Sequence, residues 1–325
     1  MLAPLAFAFG AVVRVRRLLY RRGVLSSERV GLPVIIAGNI TAGGSGKTPL
    51  VLWLADLLLG AGYRPGLVSR GHAGRISSSS GAPAQVHPDS DPALVGDEPL
   101  LLARRSGCPV WVGSDRVAAC RALRASHPDC DVIVLDDGLQ HYRLARDIEI
   151  AVVDARGFGN GRLLPAGPLR EPASRLAEVD AVVCNGGAHV AACAGLQGYA
   201  MSLEGSDFAQ LVAGGRTVSA DGLGAKRVHA VAGMGDPPRF FRHLASLGLE
   251  VVPHPFADHH WFEPTDLEFG DDAPVVMTEK DAVKCAPFAQ PRFWVLPVHA
   301  ELDPGFGAFV IDKLRSITGG DKLRH

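Results

Sequence analysis

The 325-residue chain carries 33 Lys and Arg against 34 Asp and Glu, a formal charge of −1, which excludes general electrostatic binding to nucleic acid. At 47% hydrophobic and 21% charged residues it reads as an ordinary folded protein with room for two domains. The 6 cysteines form no CxxC pair and match no zinc spacing, so reduced structural thiols are expected.

Met1 to Val13 is free of charge, and Arg14, Arg16, Arg17, Arg21 and Arg22 follow closely. This apolar run is too short to cross a bilayer, which takes about 20 residues. A secretory signal would place its positive charge before the apolar run, not after it. As a helix, Leu5, Ala8, Val12, Val15 and Leu19 share one stripe, while Arg14, Arg17 and Arg21 share another. Such a helix can lie in a membrane interface, with its arginines on anionic headgroups. Membrane contact is the favoured reading, and the alternative is a helix packed on the domain that follows with its arginine face in water.

From Pro33 onward, short apolar runs alternate with helix-like segments, the signature of an α/β fold with a mostly parallel sheet. Predicted strands are Val34–Ala37, Gly66–Ser69, Val110–Val112, Val132–Leu135, Ile148–Val153 and Ala181–Cys184, with helices over Thr48–Ala61, Pro99–Arg105 and Arg116–Ala125. Gly74–Pro92, rich in Ser, Gly, Pro and Asp, reads as a mobile surface loop, either functional or without a role. After a Gly-rich stretch at Asn185–Ala188, strands are expected at Val228–Val231, Val251–Val252, Val275–Met277 and Phe293–Leu296, with helices at Pro237–Leu247 and Glu279–Cys285. The predicted division is an amino-terminal helix over 1–30, a catalytic domain over 31–185 and a smaller carboxy-terminal α/β domain over 186–325.

The strongest local signal is Thr41-Ala42-Gly43-Gly44-Ser45-Gly46-Lys47-Thr48, set between an apolar strand and a helix. Glycines there let backbone N–H groups curl around phosphate oxygens, and the helix start adds positive potential. In this reading Lys47 reaches the β- and γ-phosphates and the Thr48 hydroxyl coordinates Mg²⁺. Thr41 stands where the usual P-loop has its first glycine. Downstream, the apolar run Val132-Ile133-Val134-Leu135 ends in Asp136-Asp137, where a carboxylate can hold Mg²⁺ beside the loop. Strand ends also take Asp for turn reasons alone. Thr278-Glu279-Lys280-Asp281 differs from the guanine signature Asn-Lys-x-Asp, so ATP is the expected nucleotide.

Several segments together resemble the tetraacyldisaccharide 4′-kinase family of lipid A synthesis. They are Gly38-Asn39-Ile40-Thr41 through Lys47-Thr48-Pro49, Ser69-Arg70-Gly71, Gly96-Asp97-Glu98-Pro99 and Asp136-Asp137-Gly138-Leu139-Gln140-His141. Further along come Gly159-Asn160-Gly161, the specific block Leu164-Pro165-Ala166-Gly167-Pro168-Leu169-Arg170-Glu171-Pro172, then Asp258-His259-His260, and Thr278-Glu279-Lys280-Asp281-Ala282-Val283-Lys284. Thr41 belongs to that family's pattern. The resemblance implies a P-loop kinase core with a smaller carboxy-terminal domain. It implies transfer of the ATP γ-phosphate to the 4′-hydroxyl of a tetraacylated glucosamine disaccharide 1-phosphate. It also places the protein on the cytoplasmic face of the bacterial inner membrane, touched by the amino-terminal helix.

A sugar hydroxyl needs a base as it attacks phosphorus. In the family the base is an aspartate paired with a histidine, which matches Asp97 with a residue of Asp258-His259-His260, and His259 is chosen over His260. Without the resemblance, Asp97 could cap the helix at Pro99–Arg105, and the histidines could be a surface cluster or a metal site. Asp136 and Asp137 are candidates for Mg²⁺, with Glu98 a secondary acid near the metal. Arg70, Arg170 and Glu171 are candidates for substrate contact or ordinary ion pairs. Lys280 and Lys284 read as solvated surface lysines. A monomer with no nucleic-acid partner is expected. Two other classes compete with the kinase: a membrane-cycling P-loop NTPase switch and a nonenzymatic adaptor with a vestigial loop.

Overall fold

The computed structural model describes residues 2–72, 74–78, 82–186, 198–212 and 214–321. Among these residues, nine strands form the larger sheet. From one edge to the other they are His299–Leu302, Gly198–Glu204, Ala181–Asn185, Ile148–Asp154, Val34–Gly38, Val132–Asp136, Pro65–Ser69, Val110–Val112 and Ala84–Val86. Only the two outermost pairings are antiparallel. The central strand Val34–Gly38 is buried along its whole length. Its Ile35 and Ala37 face one core, and Val34 and Ile36 face the other. Such two-sided burial is what an unbroken apolar run encodes, and it goes with parallel pairing. The helix Lys47–Gly60 covers one face, burying Leu50, Val51, Leu54, Ala55 and Leu58.

A second sheet of six strands runs Thr217–Val218, Phe208–Gln210, Phe293–Leu296, Val275–Thr278, Arg227–Ala232 and Glu250–Pro255. The helix Pro237–Ser246 packs on it through Phe240 and Leu244.

Two expectations need correction. The smaller unit is not a carboxy-terminal tail beginning at residue 186, because strands Gly198–Glu204 and His299–Leu302 belong to the larger sheet. The final helix Pro304–Asp321 also returns there, burying Phe306, Val310 and Leu314 in the same core as Leu50 and Leu54. The second sheet is therefore an insertion, and burial of this last apolar face draws the chain back. Nor is Gly74–Pro92 loop throughout: it holds the short helix Arg75–Ser78 and the edge strand Ala84–Val86. Residues 79–81 of that segment, and 187–188 of the expected linker, lie outside the described residues.

The helix Ala3–Arg21 sits on the larger unit through its small residues Ala6 and Gly10. A Cβ on Gly10 would meet Leu163 Cδ1 at 2.7 Å, and Arg17 pairs with Glu178. Leu5, Phe7, Val12, Val15 and Leu18 point outward and stay exposed. Among the described residues no helix is long and apolar enough to cross a membrane.

Candidate active site

The site lies at the carboxyl ends of the larger sheet's parallel strands, where open α/β sheets present their loops. Asn39, fully buried, wires the first loop from inside: its Nδ2 donates to Thr41 Oγ1 (3.4 Å), the Gly43 carbonyl (3.3 Å) and Ser45 Oγ (3.0 Å). Gly46 caps the following helix at φ +88° with no side-chain cap, leaving the first N–H groups of that helix for an anion. No side chain fits there, since a Cβ would lie 2.2 Å from Asn185 Nδ2, which donates to the Ser45 carbonyl (2.9 Å). Arg156 ties the same loop to the second unit, donating to the Gly44 carbonyl (2.7 Å) and the Gly235 carbonyl (3.4 Å).

The adjacent acids have opposite characters. Asp136 ends its strand fully buried with neither carboxylate oxygen hydrogen-bonded. Burial, and then the charge of Glu98, push its carboxyl up to about 8. Asp137 holds a left-handed backbone at φ +54° and faces cations. Lys47 Nζ stands 3.5 Å from its Oδ1, and Arg170 Nη1 reaches both oxygens at 3.0 and 3.1 Å. Burial alone would raise this carboxyl, but Lys47 and Arg170 hold it at about 2. Among the described residues the Asp136 carboxylate has no ion pair or hydrogen bond, only the more distant charges of Lys47 and Lys280, and its chemistry fits a divalent cation.

Asp97 is the first residue of the helix Asp97–Arg105, and the cap is Gly96 at φ +93°. A Cβ on Gly96 would lie 2.7 Å from the His72 carbonyl, so this turn and the Gly71 turn meet backbone to backbone. That contact sets Asp97, which is 4% exposed, against the second unit. His259 Nδ1 stands 3.1 Å from both Asp97 oxygens, whereas His260 turns away to Asp266 at 2.9 Å. Burial would raise the Asp97 carboxyl, but the hydrogen bond from His259 and the charge of Lys280 hold it at about 2. Burial lowers His259, and Asp97 more than offsets this, so its imidazole titrates above the usual range.

The lysines read as solvated are not. Lys284 is 4% exposed, 3.0 Å from Asp281 and 3.6 Å from Asp97. Lys280 reaches Asp258 (2.9 Å), Glu98 (3.3 Å) and His259 Nε2 (3.3 Å). Both sit on the short helix Glu279–Cys285, whose polar face meets carboxylates of the larger unit rather than water.

The substrate candidates divide. Arg70 is exposed, one residue beyond its strand. Arg170 is partly exposed but engaged by Asp137. Glu171 is buried under the loop, accepting from Gln140 (3.0 Å) and Tyr142, so it shapes the loop and offers no surface to a substrate. Asn39, Arg156, Asn185 and Lys280 went unread as functional; their only signal was membership of the quoted motifs for Asn39 and Lys280.

A cavity of about 370 Å³ runs from the loop to Glu98 and Lys280, the neighbours of the Asp97–His259 pair. Gly44 to Pro49 line it on one side, Glu98 and Lys280 on another, and Leu52, Leu101, Met234 and Phe240 form an apolar wall. A glycine loop and lysine at a helix start, a buried carboxylate without hydrogen-bond partners and an Asp–His pair together have the makings of a P-loop phosphotransferase.

The family described as Tetraacyldisaccharide-1-P 4'-kinase matches residues 1–315, and the chain belongs to it. A tetraacyldisaccharide 4'-kinase of Azoarcus sp. (strain BH72) is 50% identical over 97% of this chain and 92% of its own length. That of Alkalilimnicola ehrlichii is 54% identical over 93% of this chain and 88% of its own. Among solved structures, LpxK from Aquifex aeolicus, described as an "apo" form in complex with ATP, aligns with a TM-score of 0.79 at 28% identity. The alignment covers 96% of this chain and 98% of that one.

Proposed function

We propose that the chain transfers the γ-phosphate of ATP to the 4′-hydroxyl of a tetraacylated glucosamine disaccharide 1-phosphate, a step of lipid A synthesis. The observation that carries this reading is the pair of buried Asp97 and half-buried His259, whose direct neighbours Glu98 and Lys280 line the cavity beside the loop. A switch that only hydrolyses nucleotide has no need of a base for a sugar hydroxyl.

In this mechanism the loop N–H groups and Lys47 receive the ATP phosphates. The apolar wall of Met234 and Phe240 receives the base. Asp97, ionised at neutral pH, takes the 4′-hydroxyl proton as the oxygen attacks phosphorus, which contributes about 10²–10⁴ in rate. His259 holds the carboxylate in line. Asp136 and Thr48 would hold Mg²⁺, with Glu98 the next carboxylate, and the ion would neutralise phosphate charge when bound. Asp137 keeps Lys47 and Arg170 in place.

The exposed apolar stripe of the helix Ala3–Arg21 supports contact with the cytoplasmic face of the bacterial inner membrane, where the acylated acceptor resides.

The test supplies ATP, Mg²⁺ and the tetraacyl disaccharide 1-phosphate in detergent micelles. A bisphosphorylated lipid is expected, and ATP hydrolysis without it refutes the proposal. Asp97→Asn should bind ATP and lose at least about a hundredfold in turnover. Normal turnover there would remove Asp97 as the base.

A further inference from the structure

Lys280 lies where the second unit meets the Asp–His pair, and its ammonium can only donate. It has three protons and three acceptors in reach: Asp258 Oδ1 at 2.9 Å, Glu98 Oε1 at 3.3 Å and His259 Nε2 at 3.3 Å. An imidazole nitrogen that faces this donor must present its lone pair. We propose that Lys280 is a positioning residue for phosphoryl transfer: it keeps Nε2 of His259 free of a proton, so that the proton of the neutral ring sits on Nδ1 and is donated to Asp97. This rests on the reading of Asp97 as the base.

The Lys280 ammonium opposes both states that would spoil the pair, against the upward pull of Asp97 on the titration of the ring. With the proton on Nε2, a lone pair on Nδ1 would face the Asp97 carboxylate at 3.1 Å. A doubly protonated ring would turn a second N–H against the ammonium and bind Asp97 as an ion pair, weakening it as a base. The ring has little freedom to escape. Its backbone is left-handed at φ +62°, costly for a residue with a side chain, and its N–H donates to the Gly233 carbonyl at 3.3 Å. His72 closes another side, ring edge to ring face at 4.8 Å.

The charges around the ring favour a wrong state once Lys280 is gone. Asp97 and Glu98 face it from the larger unit, and Asp258 from its own loop at 3.8 Å. Lys284 is committed to Asp281 and Asp97 on the far side of the pair. Removing the ammonium leaves three carboxylates about one imidazole, which draws a proton onto Nε2. Lys280 therefore acts through His259.

The test uses full-length protein labelled with ¹⁵N-histidine, with the His259 signals assigned by their loss in His259→Gln. Long-range ¹H–¹⁵N spectra, recorded at a pH above the raised titration of the ring, should show His259 as the Nδ1–H tautomer in the wild type and in Lys280→Arg. In Lys280→Met they should show the Nε2–H tautomer or the imidazolium. In lipid kinase assays Lys280→Met should lower kcat by at least about tenfold with the ATP KM within about twofold, and Lys280→Arg should recover most of it. A wild-type ring protonated on Nε2, or a Lys280→Met spectrum unchanged from wild type, overturns the proposal. If Lys280→Met does not fold by thermal melting, Lys280→Gln, which loses the charge and offers an amide oxygen to Nε2–H, should shift the same signals, and its failure to do so also overturns it. A wild type with the expected tautomer and response that phosphorylates no lipid refutes the substrate reading alone.

Discussion

Gly46→Ala adds one methyl group to the phosphate cradle and leaves every reactive group in place. At φ +88° the left-handed backbone costs an alanine about 1–2 kcal/mol. Its Cβ would stand 2.2 Å from Asn185 Nδ2, so that amide must move. Moving it breaks the bonds to the Ser45 carbonyl (2.9 Å) and from Arg239 (2.7 Å). At about 1 kcal/mol net for each bond, the total is about 3–4 kcal/mol. If the loop yields rather than the fold, that energy appears as about a 10²–10³-fold loss of nucleotide affinity. Gly60→Ala is the matched control: the same methyl at a site with nothing within 4 Å, in a helix, where alanine gains about 0.5–1 kcal/mol. Calorimetric titration with a nonhydrolysable ATP analogue, beside thermal melts, measures both terms. Binding by Gly46→Ala within about twofold of wild type, with an unchanged melt, would refute the cradle geometry.

The remaining predictions concern the metal, the returning helix and the membrane face. Burial holds the Asp136 proton up to about 8 in the metal-free chain, and a cation needs the carboxylate. Affinity for Mn²⁺ should therefore rise with pH up to about 8 and level off above it, whereas Asp136→Asn should bind weakly at every pH. By the same sign, Asp136 contributes stability below the ordinary carboxylate range, and this is lost as pH rises through about 8, because the unfolded chain releases that proton first. Phe306→Ala removes a ring with no exposed surface, packed 5.5 Å from Trp53 and 4.9 Å from Tyr199 between centroids, and should cost about 3–5 kcal/mol in chemical denaturation. An unchanged transition would mean that the last helix does not belong to the larger core. Leu5→Asp with Val12→Asp should cut cosedimentation with anionic vesicles by at least about tenfold and leave ATP binding as in wild type. Equal vesicle binding would remove this face from membrane contact.

What could be read from the sequence follows how far apart the cooperating residues lie. The placement of the Thr41–Thr48 loop and of Asp136 at a strand end was legible because strand, turn and helix are contiguous there. Asp97 and His259 are 162 positions apart, and only a resemblance joined them, since their contact depends on the inserted unit packing back on the larger one. Lys280 and Lys284 show why local pattern misleads. Spaced four apart on one helical face, they have the pattern of a solvated stripe, and nothing nearby in sequence says that the opposing surface carries Glu98 and Asp97. Glu171 fails for the same reason, because Gln140 and Tyr142 reach it from another segment.

The return of the chain was hidden differently. His299–Leu302 is a short edge strand of mixed polarity, paired on one side with Gly198–Glu204, so neither strand shows the unbroken apolar run that marks the sheet's centre. The amino-terminal helix left two readings open because an amphipathic pattern does not say which face is covered. The structure divides the faces by size. Ala6 and Gly10 allow the helix to approach Leu163 closely, and an extended apolar stripe with Phe7 and Val12 is left uncovered. Small residues bought close packing against the protein, and the bulky ones were left for whatever lies outside. For an enzyme proposed to act on an acylated acceptor, an uncovered stripe of that kind is the face proposed to meet lipid.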